Sequence, residues 1–64
     1  MYLAHYQETS VVLAFDTEDE RNDYVSGEEI VHPECVRATF DEVAELIKGK
    51  TPIFDEGFGC MVFK

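Results

Sequence analysis

Positive charge is what this chain has least of. Five lysines and arginines stand against 14 aspartates and glutamates, a formal net charge of −9 over 64 residues. A surface that grips nucleic acid needs clustered Lys and Arg, and the sequence holds no such cluster. The field of so acidic a chain repels DNA, RNA and anionic membranes, and attracts basic surfaces over about a Debye length. Neither direct nucleic-acid binding nor membrane binding is expected.

Long apolar runs are also missing. The longest, Val11 to Phe15, is far too short to span a bilayer. The start, Met1-Tyr2-Leu3-Ala4-His5, lacks the basic and apolar regions of a signal peptide. A cytoplasmic location is the expectation. Cysteine is scarce: Cys35 and Cys60 are the pair present, whereas a secreted domain of this size usually carries more bridges. Both are expected to be reduced and dispensable for binding. Glycine is sparse as well, and Gly57-Phe58-Gly59 reads as a turn and not as a phosphate loop. Length sets the last limit. A chain of 64 residues makes one domain, residues 1–64, and buries only roughly 60 % of its unfolded surface. A ligand cavity of about 300–1,000 Å³ would hollow out its thin core.

Apolar residues, in contrast, are plentiful at 45 %, with five Phe and three Tyr. Such a composition folds. Residues 2–6 and 10–15 read as two strands joined through Gln7-Glu8-Thr9, or as one long bent strand. Thr17-Glu18-Asp19-Glu20 is a capping box opening a helix over about 18–26, which Gly27 is expected to stop in the left-handed conformation. Residues 28–33 connect, with Pro33 as breaker, and 34–38 read as a short strand. Thr39-Phe40-Asp41-Glu42 is a second capping box. Phe40, Val43, Ala44 and Ile47 then follow helical spacing, with Leu46 beside them and Gly49 at the end. Ile53-Phe54, a turn through Asp55-Glu56-Gly57 and a strand from about Phe58 to Phe63 make a hairpin.

The expected fold is α+β in the order ββαβαββ: a small, mainly antiparallel sheet of four or five strands with two short helices on one face. Val11–Phe15, apolar at every position, predicts a strand buried on both sides, for which a homodimer is one source of cover. Monomer and homodimer both stay open. Leu3, Leu13, Phe15, Val25, Val36, Phe40, Val43, Leu46, Ile47, Phe54 and Met61 are the expected core, and truncating Leu46 or Ile47 to Ala is expected to cost about 2–5 kcal/mol.

Charge is unevenly spread. Residues 16–45 carry eleven acids and two bases, so the whole −9 lies there. From Thr17 and from Thr39, acids fall at +2, +3 and +6, apolar residues at +7 and +8, and glycine at +10. Any short, capped amphipathic helix reads this way. The sharper alternative is a pseudo-repeat presenting two matching carboxylate stripes.

Catalytic and metal motifs fail on spacing. An EF-hand loop begun at Asp16 puts Arg21 where the turn needs Gly, and Gly27 where the bidentate Glu belongs. His5, His32, Cys35 and Cys60 match no common zinc spacing. Cys35 with His32 offers a thiol and a base, but acidic surroundings suppress the thiolate. Carboxylate pairs such as Asp19 and Asp23, on a solvated face, have nothing to tune them for acid–base work. No catalytic residue, metal or cofactor is expected, and the chain is not expected to be an enzyme.

A short α+β chain dense in carboxylates resembles the small phage-encoded inhibitors of host machinery, namely anti-CRISPR and other DNA-mimic proteins. The likeness is one of size and composition over the whole chain. It implies an acidic inhibitor in the host cytoplasm that occupies the basic, nucleic-acid-binding surface of a host protein. Duplex DNA carries a charge per about 1.7 Å of axis, and carboxylates one helical turn apart have Cβ atoms about 5–6 Å apart. The expected partner-binding residues are Glu18, Asp19, Glu20, Asp23, Glu28, Glu29, Glu34, Asp41, Glu42 and Glu45. The competing expectation is an interaction module, such as an antitoxin or adaptor subunit, whose acidity serves solubility.

Overall fold

A computed structural model of the chain describes residues 1–27 and 33–64. Seven elements follow in the expected order: β1 (Tyr2–Tyr6), β2 (Val12–Phe15), α1 (Glu18–Ser26), β3 (Cys35–Ala38), α2 (Phe40–Ile47), β4 (Pro52–Asp55) and β5 (Cys60–Phe63). The five strands form one antiparallel sheet in the order β3-β1-β2-β5-β4. The α+β class thus holds. β1 and β2 are separate paired strands, not one bent strand.

The helices do not share a face of the sheet. Successive side chains of a strand point to opposite faces, and β2 divides accordingly. Leu13 and Phe15 join Ala4, Tyr6, Cys35 and Val62 in one cluster, against which Tyr24 and Val25 of α1 pack. Val12 and Ala14 join Leu3, Val43 and Phe63 in the other, against which Leu46 and Ile47 of α2 pack. A strand apolar at all four positions needs cover on both sides, and one helix goes to each. This corrects the expectation of two helices on one face. It also removes the need for a second copy to cover β2, since the chain covers it itself.

Connectivity produces the arrangement. α1 carries the chain from β2 past β1 to the edge strand β3, and α2 carries it from β3 to β4 at the opposite edge. The sheet is wrapped from both sides.

Two expected core residues are exposed: Phe40 at 51 % and Phe54 at 59 %. Phe40 lies in the first turn of α2, immediately beyond the edge strand β3, and Phe54 lies on the edge strand β4. Ala44 is exposed too, so the packed stripe of α2 is Val43, Leu46 and Ile47. Of that stripe only Val43 is fully buried. Cover from both sides buries Val12 and Ala14, as the doubly buried strand reading implied, and also Ala4, Tyr6, Cys35, Val62 and Phe63, which the expected core did not include.

The two helix starts differ. At α2 the box is reciprocal: Glu42 N–H donates to Thr39 Oγ1 (3.3 Å), and Thr39 N–H donates to Glu42 Oε1 (2.9 Å). At α1 Glu20 N–H donates to Thr17 Oγ1 (3.2 Å), but the Glu20 carboxylate takes the Thr17 hydroxyl (3.1 Å) in place of the backbone N–H. Thr39→Ala is expected to destabilise the protein by about 1 kcal/mol, read as a lowered midpoint in urea with an unchanged slope.

Gly27 is not left-handed. Its backbone is extended (φ −68°, ψ 175°), and its N–H donates to the Asp23 carbonyl. Glycine is needed there for closeness, because a Cβ would stand 2.5 Å from that oxygen. The left-handed end belongs to Gly49 after α2, at φ +76°.

Candidate functional site

All eight of the expected binding residues that the structure describes are exposed: Glu18, Asp19, Glu20, Asp23, Glu34, Asp41, Glu42 and Glu45. Glu28 and Glu29 lie outside the described residues. The eight do not form one surface. Glu18, Asp19, Glu20 and Asp23 stand on α1, and Asp41, Glu42 and Glu45 on α2. With the helices on opposite faces of the sheet, the solvent sides of these stripes look away from each other.

Several of the acids have local work. Glu20 and Glu42 serve their helix caps, and Glu18 pairs with Arg21 at 3.5 Å. Arg21 also donates to the Leu3 carbonyl and lies 5.6 Å from the Tyr2 ring centre, tying α1 to β1. Asp19, Asp23, Asp41 and Glu45 make no ion pair with any described residue. Two ion pairs form among the described residues; the second joins Asp55 Oδ2 to Lys64 Nζ at 2.7 Å. Lys64 holds the Asp55 carboxyl below its ordinary pKa, helped by the Phe58 and Gly57 N–H groups that donate to it.

Beside α1 the sheet opens. The β2–β5 ladder pairs Leu13 with Val62 and Ala14 with Met61, and stops there. Phe15 and Cys60, the next residues along, belong to the two strands but do not pair. An open groove of about 540 Å³ lies at this divergence. Its apolar lining includes Phe15, Tyr24, Phe54 and Met61, and its acidic lining is Asp16, Glu20 and Asp23. Among the described residues, no basic side chain lines it. Asp16 and the groove aromatics were missed as site residues. Glu20 and Asp23 stand at i and i+3 on α1, whereas Asp16 precedes the extended Thr17 cap, so helical spacing carried no signal for it.

The cysteines and histidines are dispersed. Cys35 and Cys60 belong to the α1 side of the sheet, whereas His5 pairs with Val12 and Val36 on the α2 side and bonds the Thr9 carbonyl oxygen at 2.9 Å. His32 lies outside the described residues. Among those described, no three His, Cys, Asp or Glu side chains converge as metal ligands. Both thiols are free. β1 and β2 stand between their strands, a backbone separation of roughly 14 Å at sheet spacing, beyond disulfide reach. Burial, then the Glu34 charge and Cys60, push the Cys35 thiol up to about 11. Burial and Asp55 raise Cys60. Neither is prepared as a thiolate nucleophile.

Under α1 the Tyr6 and Tyr24 hydroxyls meet at 2.6 Å. Burial is the first cause raising both phenols above the ordinary value of 10.0. A raised pKa in the folded state means stability that is full below the unfolded pKa and is lost as pH climbs above it. The denaturation midpoint is therefore expected to hold up to about pH 10 and fall beyond it, and Tyr6→Phe should flatten that fall. An alkaline limb identical in the Tyr6→Phe variant would show that other groups govern it.

Comparison with protein-family models, curated proteins and solved structures finds no match for this chain. The class defined by fold and surface is a small α+β domain with two acidic helices on opposite faces of one antiparallel sheet.

Proposed function

We propose that this chain is an acidic protein ligand that occupies the basic, nucleic-acid-binding surface of another protein, as DNA-mimic inhibitors do. The carrying observation is the α1 surface. From Asp16 to Asp23 five carboxylates stand against one arginine, and all five are exposed. Like charges so close repel one another, and a basic partner relieves that repulsion. The backbone of a capped helix packed against a sheet is already ordered, so binding orders only the side chains, which favours affinity.

A second reading has its own observation. The acids divide between opposite faces, and Glu18, Glu20 and Glu42 serve local contacts. That is how an interaction module whose acidity serves solubility would be built. Partner capture from cells, followed by competition, separates the two. Under the first reading the captured protein binds nucleic acid, duplex DNA displaces the chain, and affinity falls steeply as salt rises. A complex indifferent to both DNA and salt would exclude mimicry.

A further inference from the structure

We infer that the outer edge of β4 pairs with the same edge of a second copy of this chain, antiparallel and centred on Ile53, joining the two sheets into one. β4 is an edge strand that is apolar on both faces. Ile53, paired with Val62, is 49 % exposed on the α1 side, and Phe54, paired with Met61, is 59 % exposed on the α2 side. Edge strands are commonly blunted by charge, and an apolar one is a template for another strand. The pairing with β5 decides which backbone groups are free. Lys64 N–H donates to the Thr51 carbonyl (3.0 Å), in the register that pairs Ile53 with Val62 and Asp55 with Cys60. Bonded residues alternate in an antiparallel ladder, so Thr51, Ile53 and Asp55 turn their backbone groups to β5. Pro52 and Phe54 turn theirs outward. Pro52 is tolerated because its missing N–H falls on the open side. Its carbonyl and both backbone groups of Phe54 stay available to a further strand.

Charge selects a second copy as the occupant. Residues 46–64 hold three lysines and two acids, so the segment that contains β4 carries none of the −9. Lys50 and Glu56 stand three residues to either side of Ile53. Both are exposed, and neither makes an ion pair with a described residue. An antiparallel copy centred on Ile53 sets Lys50 across from Glu56 of the other chain, twice by symmetry. It sets Ile53 against Ile53 and each Phe54 against Pro52, with the Phe54 N–H donating to the Pro52 carbonyl across the seam. Neighbouring registers fail. A shift of one residue sets outward-turned groups against inward-turned ones. Centring on Phe54 sets Ile53 against Asp55 and moves Lys50 two residues out of line with Glu56. The two-fold axis runs perpendicular to the sheet, so both copies of α1 lie on one face and the acidic helices stay open to a basic partner.

A seam of one short strand is small, and interfaces under about 1,200 Å² belong to weak, reversible complexes. Sedimentation equilibrium of the full chain at physiological salt should show a dimer with a dissociation constant on the order of 0.1 mM. Ile53→Lys sets two like charges against each other on the axis and should leave only monomer. Lys50→Glu and Glu56→Lys should each weaken the dimer about fivefold or more, because each change strikes two symmetric pairs. The two reversals combined should restore it to within about twofold of the parent. Net charge alone predicts the opposite for Glu56→Lys, which lowers the repulsion between copies and would tighten them. Circular dichroism checks each fold, and all three side chains are exposed. A chain that stays monomeric up to about 1 mM, a dimer unmoved by Ile53→Lys, a tighter dimer from Glu56→Lys, or a double reversal no better than the single ones would each overturn the inference. The proposed function fails separately, since a basic partner contacts the helices and the second copy contacts the edge of β4.

Discussion

Leu13→Ala should destabilise the protein by about 2–5 kcal/mol, out of a total that for 64 residues is roughly 3–10 kcal/mol. The midpoint of thermal unfolding should fall by at least about 10 °C. Leu13 is completely buried, on a strand that lies between two others and beneath α1. Few neighbours can move to fill the space, because β1 and β5 hold its backbone from both sides. Helical periodicity points instead to Leu46 and Ile47, but both are only half-buried, and their truncation should cost less. Urea denaturation of Leu13→Ala beside Leu46→Ala measures the difference. If Leu46→Ala proves the more damaging, α2 rather than the central strand carries the core.

The second large effect concerns binding. A partner presenting one rigid basic surface can touch only one of two stripes that look in opposite directions. Reversing Asp19 and Asp23 to Lys should weaken binding by tenfold or more, about 1.4 kcal/mol or above. Reversing Asp41 and Glu45 changes net charge by the same amount, but it should act mainly on the association rate and vanish at high salt. None of the four makes an ion pair with a described residue, so the fold should survive both changes, with circular dichroism as the control. Equal losses from the two reversals at all salt concentrations would mean that overall charge governs binding and that no local surface does. No loss from either would move the interface to apolar surface, and the mimicry reading would have to be abandoned.

Local chemistry was legible in the residues. Thr17 and Thr39 with glutamates three residues on mark the two helix starts, because orphan N–H groups at a helix start need acceptors at that spacing. The strands appeared within a residue or two for the same kind of reason, alternation or an apolar run bounded by turns. Exposure of the acids was equally secure, since an ionised carboxylate is costly to bury. The core list went wrong where neighbours, not periodicity, decide burial. Phe40 and Phe54 sit at helical and strand positions that read as interior, yet they fall at opposite edges of the sheet. Ala4, too small to stand out in a pattern, is buried by what lies across from it.

The sequence by itself determined the charge, the capped helices, the strands and the α+β class, since each depends on residues within a turn or two of one another. Only the tertiary structure decided where the acidic helices point and what lies beside them. Val12, Leu13, Ala14 and Phe15 announce a strand buried on two sides, but nothing in them says what supplies the cover. Strand order settles it: with β3 and β4 at opposite edges, the chain crosses the sheet twice, and one helix lies on each face. The same order brings Phe54 and Met61 into one groove lining with Asp16 and Tyr24, although 30 or more positions separate them in the chain. Pairing between distant strands is a property of the whole sheet, so the groove and the opposed stripes can be read only once the sheet is assembled.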